Sequence, residues 1–297
     1  MAADPKTPDQ EWMVHNYCVA FIDLLGQRDA MRGQSLLIPM QSEEQRKAFD
    51  DILRNSIGAI IKLQERAENM LAAAKPDSDS LYRAALSPDQ QTMWDKAQHT
   101  RIETQRWSDG LVSFVSLGDA NIKCQVRGVF DIFCLAGTLC LLGLATGQPI
   151  RGAIEIAWGV ELRPGELYGP AVVRAYELEN EIAQYPRIVV GLETVGFLKA
   201  HVASLGKDYY SQIDRDFASL CLGMLAQDVD GHSFLHYLGD KFQFAVTHEL
   251  HGELYDTARK FILSQLAEHR AQRNTKLAFR YSHLLQYFDA HPPTKLK

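Results

Sequence analysis

The 297-residue chain has no surplus of positive charge: 31 Lys and Arg stand against 37 Asp and Glu, a net charge of −6. Broad binding to nucleic acid or to an anionic membrane needs clustered positive charge, so neither partner is expected. Cysteine is scarce. The five residues (Cys18, Cys124, Cys134, Cys140, Cys221) are odd in number, have no CxxC spacing and lie mostly in apolar runs. That argues against a disulfide framework or a zinc site and predicts buried free thiols in a cytoplasmic protein. Long apolar runs are missing too. The longest, Ile132–Thr146, falls short of the roughly 20 residues that span a bilayer, and it reads as a buried core helix. The N-terminal MAADPKTPDQ is polar and acidic, unlike a signal peptide. No Walker A sequence, Rossmann glycine pattern or nucleophile elbow occurs. A nucleotide site survives these exclusions, because bound metal ions supply positive charge locally.

What is present can bury a full core, as one large or two modest domains. Tyr17–Leu25 is apolar except for Asp23 and reads as a central strand covered on both faces. Alternation puts Phe21, Asp23 and Leu25 on one face and Ala20, Ile22 and Leu24 on the other. Ser42–Ala74 reads as one long helix, from the three- and four-residue spacing of Phe49, Ile52, Leu53, Ile57, Ile60 and Ile61. Lys75–His99 is polar with two prolines and reads as an exposed insertion. Ile102–Leu117 reads as a hairpin turning at Ser108-Asp109-Gly110. The core helix at about 125–146 follows, then a strand at Ile150–Val160. A helix opens at Gly169-Pro170 and runs to about Gln184, with proline in its favoured first-turn place. Further on come a strand at Arg187–Gly191, a helix at Val195–Leu205, a hairpin at Asp230-Gly231, and amphipathic helices at Tyr255–Leu266 and Leu277–Phe288. This order predicts an α+β sheet with helices mainly on one face. Residues 1–16 form a tail, 17–191 a core with an insertion at about 38–99, and 192–297 the C-terminal part of the same domain.

Two aspartates carry the chemical signal. Asp23 is a charge inside an apolar strand, costly without a cation or donors. Asp109 sits at a hairpin tip, and if that hairpin lies beside the first strand the two carboxylates converge. A pair of carboxylates holds divalent ions that also bind a substrate's phosphates. Taken singly, Asp23 reads equally as half of a buried salt bridge and Asp109 as a turn former. His232 and His236 have metal-ligand spacing, but strand alternation makes them surface and edge residues. His248-Glu249-Leu250-His251 lacks the HExxH spacing of a zinc helix and reads as a loop or helix start.

These segments resemble the class III nucleotidyl cyclase catalytic domain. Phe21-Ile22-Asp23-Leu24-Leu25-Gly26 is similar to that family's first strand, F-x-D-I-x-G. Trp107-Ser108-Asp109-Gly110 looks like its second metal-aspartate hairpin. Arg151-Gly152, continuing to Gly159, is similar to its R-x-G-I-x-x-G strand, and Tyr168-Gly169-Pro170 with Ala175 to its F-G-D-x-V-N-x-A-S-R helix start. The resemblance covers about residues 17–191. Within that family, FIDLLG, the SDG hairpin, RGAIEIAWG and YGPAVVRAYELENEIAQYPRIVV look most like the bacterial pyrimidine cyclases of Pycsar anti-phage defence.

The resemblance implies a ferredoxin-like class III cyclase core with a helical insertion and a C-terminal α/β extension. It implies a ribose 3′-hydroxyl attacking the α-phosphate, giving a 3′,5′-cyclic nucleotide and pyrophosphate. Two ions, Mn²⁺ or Mg²⁺, would be held by Asp23, Asp109 and the Leu24 carbonyl, with Phe21 and Gly26 lining the triphosphate. It also implies a homodimer with shared active sites. The family's asparagine falls at Val173 and its transition-state arginine at Glu177. Arg174, one turn before Glu177, either delivers a guanidinium to the phosphate or forms a surface pair with Glu177. Gln105 and Glu166 stand at the base-reading positions in place of a lysine–aspartate pair suited to adenine, which is compatible with UTP or CTP. Two functions remain: a metal-dependent pyrimidine nucleotide cyclase, and a catalytically degenerate module that binds a nucleotide or a partner. A purine cyclase is a more remote third.

Overall fold

The computed structural model describes residues 13–27, 40–73, 81–84, 86–98, 100–119, 121–247 and 251–293. It is an α+β protein on one mixed, eight-stranded sheet. The strands are β1 (Val14–Leu24), β2 (Glu103–Trp107), β3 (Gly110–Ser116), β4 (Ile150–Arg163), β5 (Glu166–Tyr168), β6 (Ile188–Val190), β7 (Leu225–Gln227) and β8 (Ser233–Leu235). Their order is β2-β3-β1-β4-β6-β8-β7, with β5 paired to β4. β1 lies antiparallel between β3 and β4, and β4 runs parallel to β6. Thus β3 splits the β1–helix–β2 unit, and β1 splits the β3–helix–β4 unit. The principal helices are α1 (Glu43–Asn55), α2 (Ile57–Ala73), α3 (Pro88–Ala97), α4 (Gln125–Ala145), α5 (Pro170–Glu181), α6 (Leu192–Val202), α7 (Tyr209–Gly223), α8 (His251–Ala271) and α9 (Thr275–Ala290).

The alternation along β1 divides the core as its sequence predicts. Ala20, Ile22 and Leu24 pack with Ile150 and Ile154 against α4, behind which lie α2, α7, α8 and α9. Tyr17, Val19 and Phe21 face the other way, onto Ala171, Val172 and Ala175 of α5. Most helices therefore share one face, and α5 covers the second. α4 begins at Gln125, well before its apolar run, and is long and apolar enough to cross a membrane. It is instead a core helix: Val129, Ile132, Phe133, Ala136 and Cys140 are fully enclosed by protein. The cysteines are free thiols, Cys18, Cys124, Cys140 and Cys221 buried and Cys134 partly so. Burial pushes the Cys18, Cys140 and Cys221 thiols up.

Three elements differ from expectation. The single helix over 42–74 is two, broken at Ser56, whose hydroxyl donates to the Ile52 carbonyl at 2.6 Å. Such back-bonding competes with the helical ladder. Within the polar stretch 75–99, residues 74–80, 85 and 99 lie outside the described ones, but 88–97 form α3. Ser87 and Gln90 make a reciprocal capping box there, and Pro88 starts the helix. α7 was not anticipated; it starts at Asp208, which accepts from the Tyr210 and Ser211 amides.

The C-terminal part shares the sheet and the core. β7 and β8 extend the sheet beyond β6, while Tyr255, Ile262, Leu284 and Phe288 join the main cluster. Arg187, at the foot of β6, pairs with Asp228 and Asp230 of the β7–β8 turn. Asp228 also accepts from Tyr185 and faces His283 of α9 at 3.1 Å. The second hairpin and α9 are pinned to the sheet by that node.

Candidate active site

Asp23 is the penultimate residue of β1, with Gly110 opposite it on β3 and Arg151 opposite it on β4. The register turns the β2–β3 hairpin so that Asp109, immediately before Gly110, stands beside Asp23. The two-residue turn is sharp, and Ser108 takes a left-handed φ of 52°. Glycine at 110 is required: a Cβ there would lie 2.8 Å from the Ile22 carbonyl oxygen. Gly152 of β4 makes the same approach from the other side, with a Cβ position 2.6 Å from the Phe21 carbonyl oxygen. β1 is thus gripped closely on both flanks where it delivers Asp23.

The electrostatics are those of crowded carboxylates. The Asp23 carboxyl is pushed up to about 6, first by burial and then by Asp109, against the opposing pull of Arg151 and the Leu24 amide. Arg151 Nη2 lies 3.4 Å from Asp23 Oδ2, and Arg151 Nε lies 2.6 Å from Glu179 Oε1. Glu179, on α5, is only 2% exposed. Its carboxyl rises to about 7 through burial, with Asp23 and Asp109 adding to the rise and Arg151 opposing it. Asp23 and Glu179 share the Arg151 guanidinium, with Asp109 close enough to act on both carboxyls, and hard divalent ions suit such an oxygen donor set. Among the described residues no three His, Cys, Asp or Glu side chains converge as a closed metal cage. Asp23 and Asp109 fit an open two-carboxylate site, in which a ligand's oxygens complete the coordination. Glu179 was not singled out from sequence, and Arg151 was named only as the start of a strand motif, with no role at the site. The available signal was an acid in line with Val172 and Ala175 on the buried stripe of α5.

Around this centre the sequence-predicted residues take different places. Gly26 has a φ of 91° in the turn after β1. With Leu24, Leu25, Gln27 and Gly147 it lines a cavity of about 380 Å³. Among the described residues Gln27 Oε1 is buried without a hydrogen-bond partner. Phe21 is itself buried and supports a small aromatic shelf, packing edge-on to Trp107 at 6.1 Å and Tyr176 at 5.3 Å. Gln105, on β2, accepts from the Leu167 amide at 3.1 Å. That bond brings it to the β5 backbone beside Glu166, whose carboxylate pairs loosely with Arg163 at 3.8 Å.

Arg174 is neither at Asp23 nor paired with Glu177. It reaches Glu193 at 3.4 Å and Glu155 at 3.8 Å. Glu155 is buried because it accepts from the Thr194 amide and hydroxyl, both at 3.0 Å, and so caps the start of α6. Val173 and Glu177 are exposed. His232 and His236 do not converge. His232 is exposed, while His236 packs between Tyr287 and His291, bonded to the Tyr287 hydroxyl at 2.9 Å, rather than lying on the surface. Burial pushes its imidazole down to about 4. Of the HELH sequence, 248–250 lie outside the described residues, and His251 opens α8. No family model, curated protein or solved structure matches this chain.

Proposed function

We propose that the protein is a metal-dependent nucleotide cyclase acting on a pyrimidine nucleoside triphosphate, UTP or CTP, with Mn²⁺ or Mg²⁺ bound at Asp23 and Asp109. The observation that carries this reading is the register of β1 against β3, which sets Asp109 beside Asp23 and crowds both carboxylates with Glu179. Excess negative charge at a partly open site favours cations, and a two-cation site bracing phosphates is what 3′-hydroxyl attack on an α-phosphate uses. The doubly split strand order supports the same reading, since a class III cyclase core is expected to have a ferredoxin-like sheet. The Gln105 carbonyl is engaged by the Leu167 amide, and among the described residues its N–H₂ has no recorded partner and suits a ligand acceptor; no lysine stands at that position to favour adenine.

A homodimer with shared sites follows from the same reading. Trp107, Val173 and Tyr176 are exposed apolar side chains on the α5 face, and such surface suits a second copy of this chain. The competing reading, a degenerate binding module, draws on Glu177 at the arginine position and on Arg174 being held by Glu155 and Glu193. One experiment separates them. Purified protein is incubated with Mn²⁺ and each of the four nucleoside triphosphates, and products are identified by mass spectrometry. Cyclic UMP or cyclic CMP is the expected product. Binding without turnover would support the module, and a dominant cyclic purine would overturn the pyrimidine assignment.

A further inference from the structure

Helices α3 and α7 line a second cavity, of about 360 Å³, that shares no residue with the Asp23–Asp109 site. Its volume falls in the range of roughly 300–1,000 Å³ that small-molecule pockets occupy. Trp94 of α3 lines it together with Tyr209, Gln212, Asp216 and Phe217 of α7. Tyr209, Gln212 and Asp216 follow one another at three- and four-residue steps, which sets them on one face of the helix. The walls are anchored. Asp214, on the same helix, accepts from the Val126 amide at 3.0 Å and holds α7 against the start of α4. The Arg127 guanidinium of α4 lies over the Phe217 ring, 5.2 Å from its centre, and its Nη1 donates to Gln98 Oε1, just past α3, at 2.6 Å. Three helices thus fix the shape of the cavity, so a ligand meets a site that is already formed.

Gln212 and Asp216 bring hydrogen-bond acceptors to it. Gln212 donates its amide N–H₂ to the Lys207 carbonyl at 3.2 Å, which leaves its Oε1 for a ligand. Asp216 is exposed, and among the described residues no cation pairs with it. Arg127 adds no unanswered positive charge, because Asp131 pairs with it at 2.9 Å. The faces of aromatic rings are also electron-rich and attract cations. Aromatic walls with carboxylate and carbonyl oxygens match an apolar body that carries a positive, N–H-donating head. We infer that this cavity binds a small protonated amine with an aromatic or alkyl body, its ammonium group at Asp216 and Gln212 and its body against Trp94, Tyr209 and Phe217. A neutral ligand of the same shape leaves the Asp216 charge unanswered, and an anion is repelled by it.

The test is calorimetric titration of the full chain at neutral pH with 2-phenylethylamine, 2-phenylethanol and 3-phenylpropionate, which share a ring and differ in charge. The amine is expected to bind about 10-fold or more tighter than the alcohol, the scale of one charged hydrogen bond, and the carboxylate weakest. Asp216→Asn should bring the amine to within about twofold of the alcohol, whereas Trp94→Ala should weaken both together. Asp23→Ala should leave all three affinities unchanged, so the result is independent of the cyclase reading. Thermal melting of each variant separates lost binding from lost folding, and the exposed Asp216→Asn change decides the matter if Trp94→Ala does not fold. No binding of the amine at millimolar concentration, equal affinity for amine and alcohol, or an amine affinity unchanged in folded Asp216→Asn protein overturns the inference.

Discussion

Asp23 binds its proton more tightly in the folded chain than its ordinary value of 3.8 allows, with a folded value of about 6. The sign is therefore that of a destabilising charge. Stability present below about pH 4 is lost as pH rises through about 6. In metal-free buffer Asp23→Asn, which mimics the protonated form, should gain melting temperature relative to wild type between about pH 4 and about pH 8. Equal offsets at both ends would show that Asp23 titrates as an ordinary aspartate. The charge that costs stability is the one a cation would use. Asp23→Ala or Asp109→Ala should therefore abolish turnover in a folded protein, since a lost catalytic ion costs several kcal/mol of transition-state stabilisation; near-wild-type rates in either variant would sink the assignment. Gly110→Ala should cost roughly 1–3 kcal/mol in urea denaturation, because its methyl group would have to displace β3 from the Ile22 carbonyl. At this scale the sequence was informative where a residue broke its local pattern, as Asp23 does in an apolar strand. Glu179, and the part Arg151 plays beside it, were hidden because their pairing joins positions distant in the chain. For Arg174, which meets Glu155 and Glu193 across elements, spacing along one helix pointed to the wrong partner.

Elements were legible in proportion to how local their signals are. The β2–β3 hairpin follows from Asp-Gly between apolar runs, α5 from Gly169-Pro170, and α8 and α9 from the stripes Tyr255–Ala258–Ile262–Leu266 and Tyr281–Leu284–Phe288, all buried. The break at Ser56 was not legible, because the apolar spacing continues through it. α3 did carry local signals, Ser87, Pro88 and Gln90, but its polar surface obscured them. The start of α6 depends on something no local pattern contains: its cap is Glu155, a residue of β4. Glu155→Ala should leave the Thr194 amide unpaired and cost about 1–3 kcal/mol in urea denaturation. Unchanged stability would mean that water replaces the carboxylate without loss.

For the molecule as a whole, the cyclase reading requires two chains per pair of sites. Asp23→Ala mixed with Gln105→Ala should recover part of the activity that each loses alone, because shared sites take their metal ligands and base-reading group from different chains and one hybrid site then carries neither change. A fully active monomer by light scattering would rule out shared sites. The free cysteines offer an independent gauge of the same molecule. Cys18 lies on β1, Cys140 on α4 and Cys221 on α7, so the thiols sample three separate layers of one core, and none of these three is accessible in the folded state. A thiol reagent can therefore modify them only when that core opens, and the labelling rate becomes a clock for opening. Single-cysteine variants read by mass spectrometry should label at one common rate if the sheet and its C-terminal helices open together. A faster Cys221 would show instead that α7 opens on its own.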